Sequence, residues 1–94
     1  MRQRKTSVTD LHAQISVALR LGHVDEALDL YERIEKAKPN EPRWSHRKGE
    51  LLHRIGRDRD AAVAYQRAVD LYAAKGFEAR AQATEKLMHL LRPR

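Results

Sequence analysis

Two glycines, Gly22 and Gly56, stand 34 residues apart, and the sequence around one returns around the other. The same shift pairs His12 with His46, Arg20 with Arg54, Ala27 with Ala61, Tyr31 with Tyr65 and Arg33 with Arg67. Leu21 and Ile55 match in kind. A period of this length marks a repeated helix–turn–helix unit, and it constrains all that follows. One such hairpin cannot bury both of its faces alone, so hairpins must stack to make a continuous core.

Within each period the apolar residues recur at helical spacing. The first helix is predicted over Val8 to Leu21, with Ser7 and Asp10 spaced as a capping box and with Leu11, Ile15, Ala18 and Leu19 on one face. Gly22 closes it as a left-handed cap. The second runs from Asp25 to Lys38, acidic at its start and basic at its end, which complements the helix dipole. Its buried stripe is Ala27, Leu28, Tyr31, Ile34 and Ala37. Pro39-Asn40-Glu41-Pro42 breaks the pattern, and Pro42 suits the first turn of the next helix. A third helix over Arg43 to Ile55 turns Trp44, Leu51, Leu52 and Ile55 inward, and Gly49 marks a close approach by a neighbouring helix. The fourth, Asp58 to Ala74, buries Ala61, Ala62, Tyr65, Ala68, Val69 and Tyr72. The fifth, Phe77 to Leu91, carries Ala81, Thr84, Leu87, Met88 and Leu91 and stops before Pro93. The small Ala27 and Ala61 admit a crossing helix. Tyr31 and Tyr65, one turn later, wedge between that pair and the next helix.

Gly22, Ala27, Tyr31, Pro39 and Asn40, then Gly49, Gly56, Ala61, Tyr65 and Ala68, stand at tetratricopeptide-repeat spacing, and residues 8–75 resemble that family. Ile15 and Ile34 depart from its small residues, and Trp44 lies one place early. Tyr65, Ala68, Tyr72, Gly76, Ala81 and Pro93 form a competing register that reuses the fourth helix as a first helix. The resemblance implies an all-α array of about five helices wound as a right-handed superhelix. Residues 1–7 read as a flexible basic tail, and residues 8–92 as one domain with repeats over 8–41 and 42–75 and a capping helix over 77–91.

The resemblance further implies a protein-interaction module whose concave face is lined by the first helix of each hairpin. The matching residues are Thr9, His12, Ser16, Leu19 and Arg20, then Arg43, His46, Arg47, Glu50, His53 and Arg54. Family members that clamp a C-terminal carboxylate use Lys and Asn where this sequence has His12 and Ser16, which argues against that activity.

Charge points to the partner. The formal net charge is +6, yet residues 1–41 hold seven basic and seven acidic side chains, and residues 42–59 hold six basic against two acidic. The excess peaks on the third helix, where arginine forks suit carboxylates. The function expected is an adaptor or scaffold that holds an acidic or C-terminal protein segment, with Arg47, Arg54 and His46 supplying charge and Leu19 an apolar contact. Two alternatives stand beside it. Leu87, Met88, Leu90 and Leu91 of the fifth helix offer a surface for homodimerisation or interdomain docking, so a monomer or a weak homodimer is expected. The basic segment 43–57 offers phosphate binding, but aromatics are 5% of the chain and the paired tyrosines have core duties, which argues against nucleic acid.

Chemistry finds little purchase. There is no cysteine, and the glycines are isolated helix stops rather than a phosphate-binding loop. His46, Glu50 and His53 share a helix face, but two full turns, on the order of 10 Å, separate the imidazoles, too far for one ion. A contact sensitive to pH is the better use of those histidines. Ser16 and His12 lack a third catalytic partner. No enzyme, cofactor or metal is expected. No apolar run approaches the roughly 20 residues of a membrane span, and the N-terminus is no secretory signal, so a cytoplasmic setting is the default.

Overall fold

The computed structural model describes residues 7–91. The expected tail over 1–6 and Pro93 lie outside the described residues. Five α-helices follow in order: α1 (Val8–Arg20), α2 (Val24–Ala37), α3 (Pro42–Arg54), α4 (Asp58–Ala74) and α5 (Glu78–Leu90). The fold is all-α, with no strand among the described residues. The chain divides into two compact units, Met1–Pro39 and Asn40–Arg94.

Ser7, assigned above to the tail, is the N-cap of α1. Its hydroxyl accepts from the Asp10 amide at 3.0 Å, and its own amide donates back to the Asp10 carboxylate at 3.4 Å. The two bonds satisfy donors that the first helical turn leaves open. The three glycine turns close alike. Gly22, Gly56 and Gly76 adopt φ of 77°, 82° and 80°, a region where a β-carbon is strained. At each, the next residue donates to the carbonyl five positions back: His23 to Ala18, Arg57 to Leu52 and Phe77 to Tyr72, at 2.8–2.9 Å. This is the Schellman closure, and it ends α1, α3 and α4.

In the N-terminal unit α1 packs on α2. Leu11, Ile15 and Ala18 are buried on α1, and Ala27, Leu28, Leu30, Tyr31 and Ile34 on α2. Ala27 is fully buried, as the crossing requires. Ala37, expected in the stripe, is exposed and is the last residue of the helix.

In the C-terminal unit α4 is the central element, packed against both α3 and α5. Its buried face is wide: Ala61, Ala64, Tyr65, Ala68, Val69 and Tyr72. Ala61 and Ala68 have no exposed surface. Gly49 shows why small residues matter here, because a β-carbon on it would lie 2.9 Å from Cδ1 of the Tyr65 ring. Ile55, expected inward, is the C-cap of α3 and is 37% exposed. The chain has turned towards Gly56 by that point and carries the side chain off the buried face. Leu91, counted above with an exposed surface, is buried at 6%.

Leucine in place of Ala61 must force α4 from its neighbour. The Ala61→Leu protein is expected to lose about 1–3 kcal/mol in urea denaturation, whereas Ala62→Leu, at a half-buried position on the same turn, is expected to cost less.

Candidate binding face

The ten residues expected to line a groove fall into two sets, one in each unit. On α1, His12 and Leu19 are half-buried, and Ser16 and Arg20 are exposed. They share one side of the helix. The Ser16 hydroxyl donates to the backbone carbonyl of His12 at 3.4 Å.

On α3 the second set divides further. Pro42, Ser45, Gly49 and Leu52 face inward with Trp44 and Leu51. The outward arc holds Arg43, Arg47, Glu50, His53 and Arg54, all exposed, with half-buried His46 at its edge. Arg43 stacks over the buried Trp44 ring with Cζ 4.5 Å from the centroid, and Arg47 sits 6.0 Å from the same centroid. A desolvated indole face under two guanidinium groups holds both in place. Arg43 also meets the Glu41 carboxylate at 3.8 Å. Neither Arg47 nor Arg54 has a carboxylate within 4.0 Å among the described residues.

His46 is occupied elsewhere. Its ring lies edge-on to Tyr65 and Tyr72 of α4, with centroids 5.6 and 6.2 Å away. Its Nδ1 is 3.3 Å from the Thr84 hydroxyl of α5. Thr84 has one proton, which it donates to the Arg80 carbonyl at 2.8 Å. Thr84 therefore accepts, and the His46 Nδ1–H donates. That leaves Nε2 towards Glu50, 3.9 Å away. His46 thus joins α3, α4 and α5. The sequence placed it on the right helix face, but nothing in the spacing marked Thr84 as its partner.

His53 is likewise engaged, with Nδ1 2.9 Å from the Asp58 carboxylate at the start of α4. The two imidazoles thus serve different neighbours. Tyr65 completes the seam. Burial, and then the nearby Glu50 carboxylate, raise its phenol above the usual value of 10.0. Both causes disfavour the phenolate.

Arg57 bonds Asp60 through two nitrogens, at 3.0 and 2.6 Å, which withdraws it from the free basic set. No helix of the described residues is long and apolar enough to cross a membrane. The chain matches no family model, no curated protein and no solved structure.

Thr84→Val keeps the shape of the side chain but leaves the His46 N–H without its acceptor. A loss of about 1–2 kcal/mol is expected in chemical denaturation, with Thr84→Ser close to wild type. Removing the carboxylate by Glu50→Gln is expected to bring the Tyr65 ionisation down, followed as phenolate absorbance during alkaline titration. It stays above the ordinary tyrosine value because burial is the larger cause. The stability that Tyr65 contributes as a neutral group is complete below its unfolded-state value and fades as pH rises through the higher folded one.

Proposed function

We propose that this chain is a tetratricopeptide-like protein-binding module that holds an acidic segment of a partner on the outward face of α3. The observation that carries the reading is the pair Arg47 and Arg54, exposed, seven residues apart and without a carboxylate partner among the described residues. Two turns separate them, on the order of 10 Å, which is the reach of three residues of extended peptide. A strand whose carboxylates stand four residues apart on one face, about 13 Å, meets both through the flexible arginine side chains. Arg43, braced by Trp44, extends the arc by another turn.

Uncompensated arginines also suit the task energetically. A guanidinium already paired with a carboxylate must lose that partner before it takes a new one, whereas Arg54 gives up only water and Arg47 only water and its distant contact with the Trp44 ring. Glu50 lies between them in sequence, but it is turned to the His46 side, and its field disfavours a second carboxylate there. The ligand's acids therefore belong over the arginines, with a neutral residue opposite Glu50. The 34-residue repeat, the glycine closures and the alanine crossings support the family reading, and a cytoplasmic adaptor or scaffold role belongs to the same proposal.

A fluorescein-labelled extended peptide with two glutamates four residues apart and neutral residues between them is the probe. Wild-type protein is expected to raise its anisotropy and to lose affinity as salt rises. Arg47→Glu with Arg54→Glu is expected to keep the helical circular-dichroism signal and to bind at least about tenfold more weakly, equivalent to about 1.4 kcal/mol. Equal affinity in the double variant removes the assignment of α3.

A further inference from the structure

The α3 helix carries one acid, Glu50, and its place among the bases gives it a choice of partners. It stands four residues after His46, three after Arg47 and four before Arg54. Side chains at those spacings on a helix are neighbours, so all three bases lie within its reach. His53, three residues on, is already engaged with Asp58 at 2.9 Å. In the structure the Glu50 carboxylate is turned to His46, 3.9 Å from Nε2, and its side chain is 52% exposed, with room to swing.

The packing of His46 decides what it offers Glu50. Its Nδ1–H donates to Thr84, whose own proton goes to the Arg80 carbonyl. A neutral imidazole has one N–H, so Nε2 then faces Glu50 with a lone pair, which does not attract a carboxylate. A second proton turns Nε2 into a cationic donor aimed at that carboxylate. The ring keeps access to water, with 24% of the side chain exposed. The groups around it on the other helices add no charge in the range where imidazoles titrate, about pH 5 to 8. Tyr65 and Tyr72 of α4 present phenols, which are neutral there, and Thr84 of α5 presents a hydroxyl. The Arg80 guanidinium of α5 lies over the Phe77 ring, 5.8 Å from its centroid.

We propose that a proton on His46 opens the acidic-partner face of α3 and that its loss closes it. With the imidazolium present, Glu50 is held on the His46 side, and Arg47 and Arg54 stand open to a ligand. With the imidazole neutral, those arginines are the cations left within reach of Glu50, and its carboxylate competes with the partner's for them. Affinity for an acidic segment therefore rises as pH falls from 8 to 6, while the ligand's own glutamates, with an ordinary pKa of about 4.3, stay charged. By linkage, binding of the segment draws a proton onto His46. This inference rests on the reading of Arg47 and Arg54 as an acid-binding pair and adds the control of that pair.

Isothermal titration calorimetry with the unlabelled form of the two-glutamate peptide, at pH 8 and pH 6 and one ionic strength, tests the gate. Wild type is expected to bind about threefold more tightly at pH 6, a gain on the scale of one exposed ion pair. Titrations at pH 7 in two buffers of different ionisation enthalpy are expected to show proton uptake on binding. Glu50→Gln is expected to bind at pH 8 at least as tightly as wild type does at pH 6, and to lose the gain. His46→Asn keeps a donor for Thr84 but has no group that takes up a proton; it is expected to stay near the pH 8 affinity of wild type at both pH values. Equal wild-type affinity at pH 8 and pH 6 overturns the gate and leaves the arginine pair standing. So does an undiminished gain in Glu50→Gln or His46→Asn, which assigns the proton to another histidine. A peptide that binds wild type at neither pH overturns the arginine reading, and the gate with it.

Discussion

The contact on which the C-terminal unit depends is a tyrosine ring lying against a helix where no side chain intervenes. Tyr65 meets α3 at Gly49, at a distance that a β-carbon could not share. That approach sets the rotation of α3 about its own axis. With Gly49, Ser45 and Leu52 turned inward, helical spacing sends Arg47 and Arg54 to the other side. The basic arc is outward because the glycine is inward. The arrangement of charge and the packing of the core are thus two results of one crossing. Trp44, buried on the same helix, gives Arg43 and Arg47 an aromatic face to rest on.

A second consequence runs through His46. The close crossing brings Tyr65 and Tyr72 near-perpendicular to the imidazole, and α5 reaches it through Thr84. A polar group set between three helices in this way has few orientations that satisfy it. An α5 shifted along its axis would leave the Nδ1 proton unmet and separate Ala81 from Ala68 and Val69. Apolar contact alone gives α5 little direction, since only Ala81, Thr84 and the cap residue Leu91 are buried on it. The histidine supplies the missing specificity.

Much of this was legible in the residues. Helix identity, the glycine closures, the Ser7–Asp10 cap and the alanine crossings each follow from local chemistry, and local chemistry repeats with a visible period. Helix ends moved by about one residue, because termination depends on which carbonyl the turn captures. Ile55 was misplaced for the same reason: its helical phase points inward, but it is the cap. The candidate face was legible only in outline. Its residues were found by spacing, yet spacing is silent on which charges neighbours neutralise. His53 goes to Asp58, Arg57 to Asp60 and His46 to Thr84, and each partner sits beyond the helix that carries the site. What remains open on α3, Arg47 and Arg54, is the part that pairing left over.

The most direct measurement is a double-mutant cycle by chemical denaturation on Gly49→Ala and Tyr65→Ala. With the ring present, the added methyl group collides with it and lowers stability. With the ring removed, the same methyl group meets no obstruction, and replacing glycine by alanine inside a helix then stabilises by up to about 1 kcal/mol. A change of sign between the two backgrounds is the predicted result. Gly49→Ala effects that are equal with and without the ring would contradict the contact and, with it, the reason for the outward face of α3.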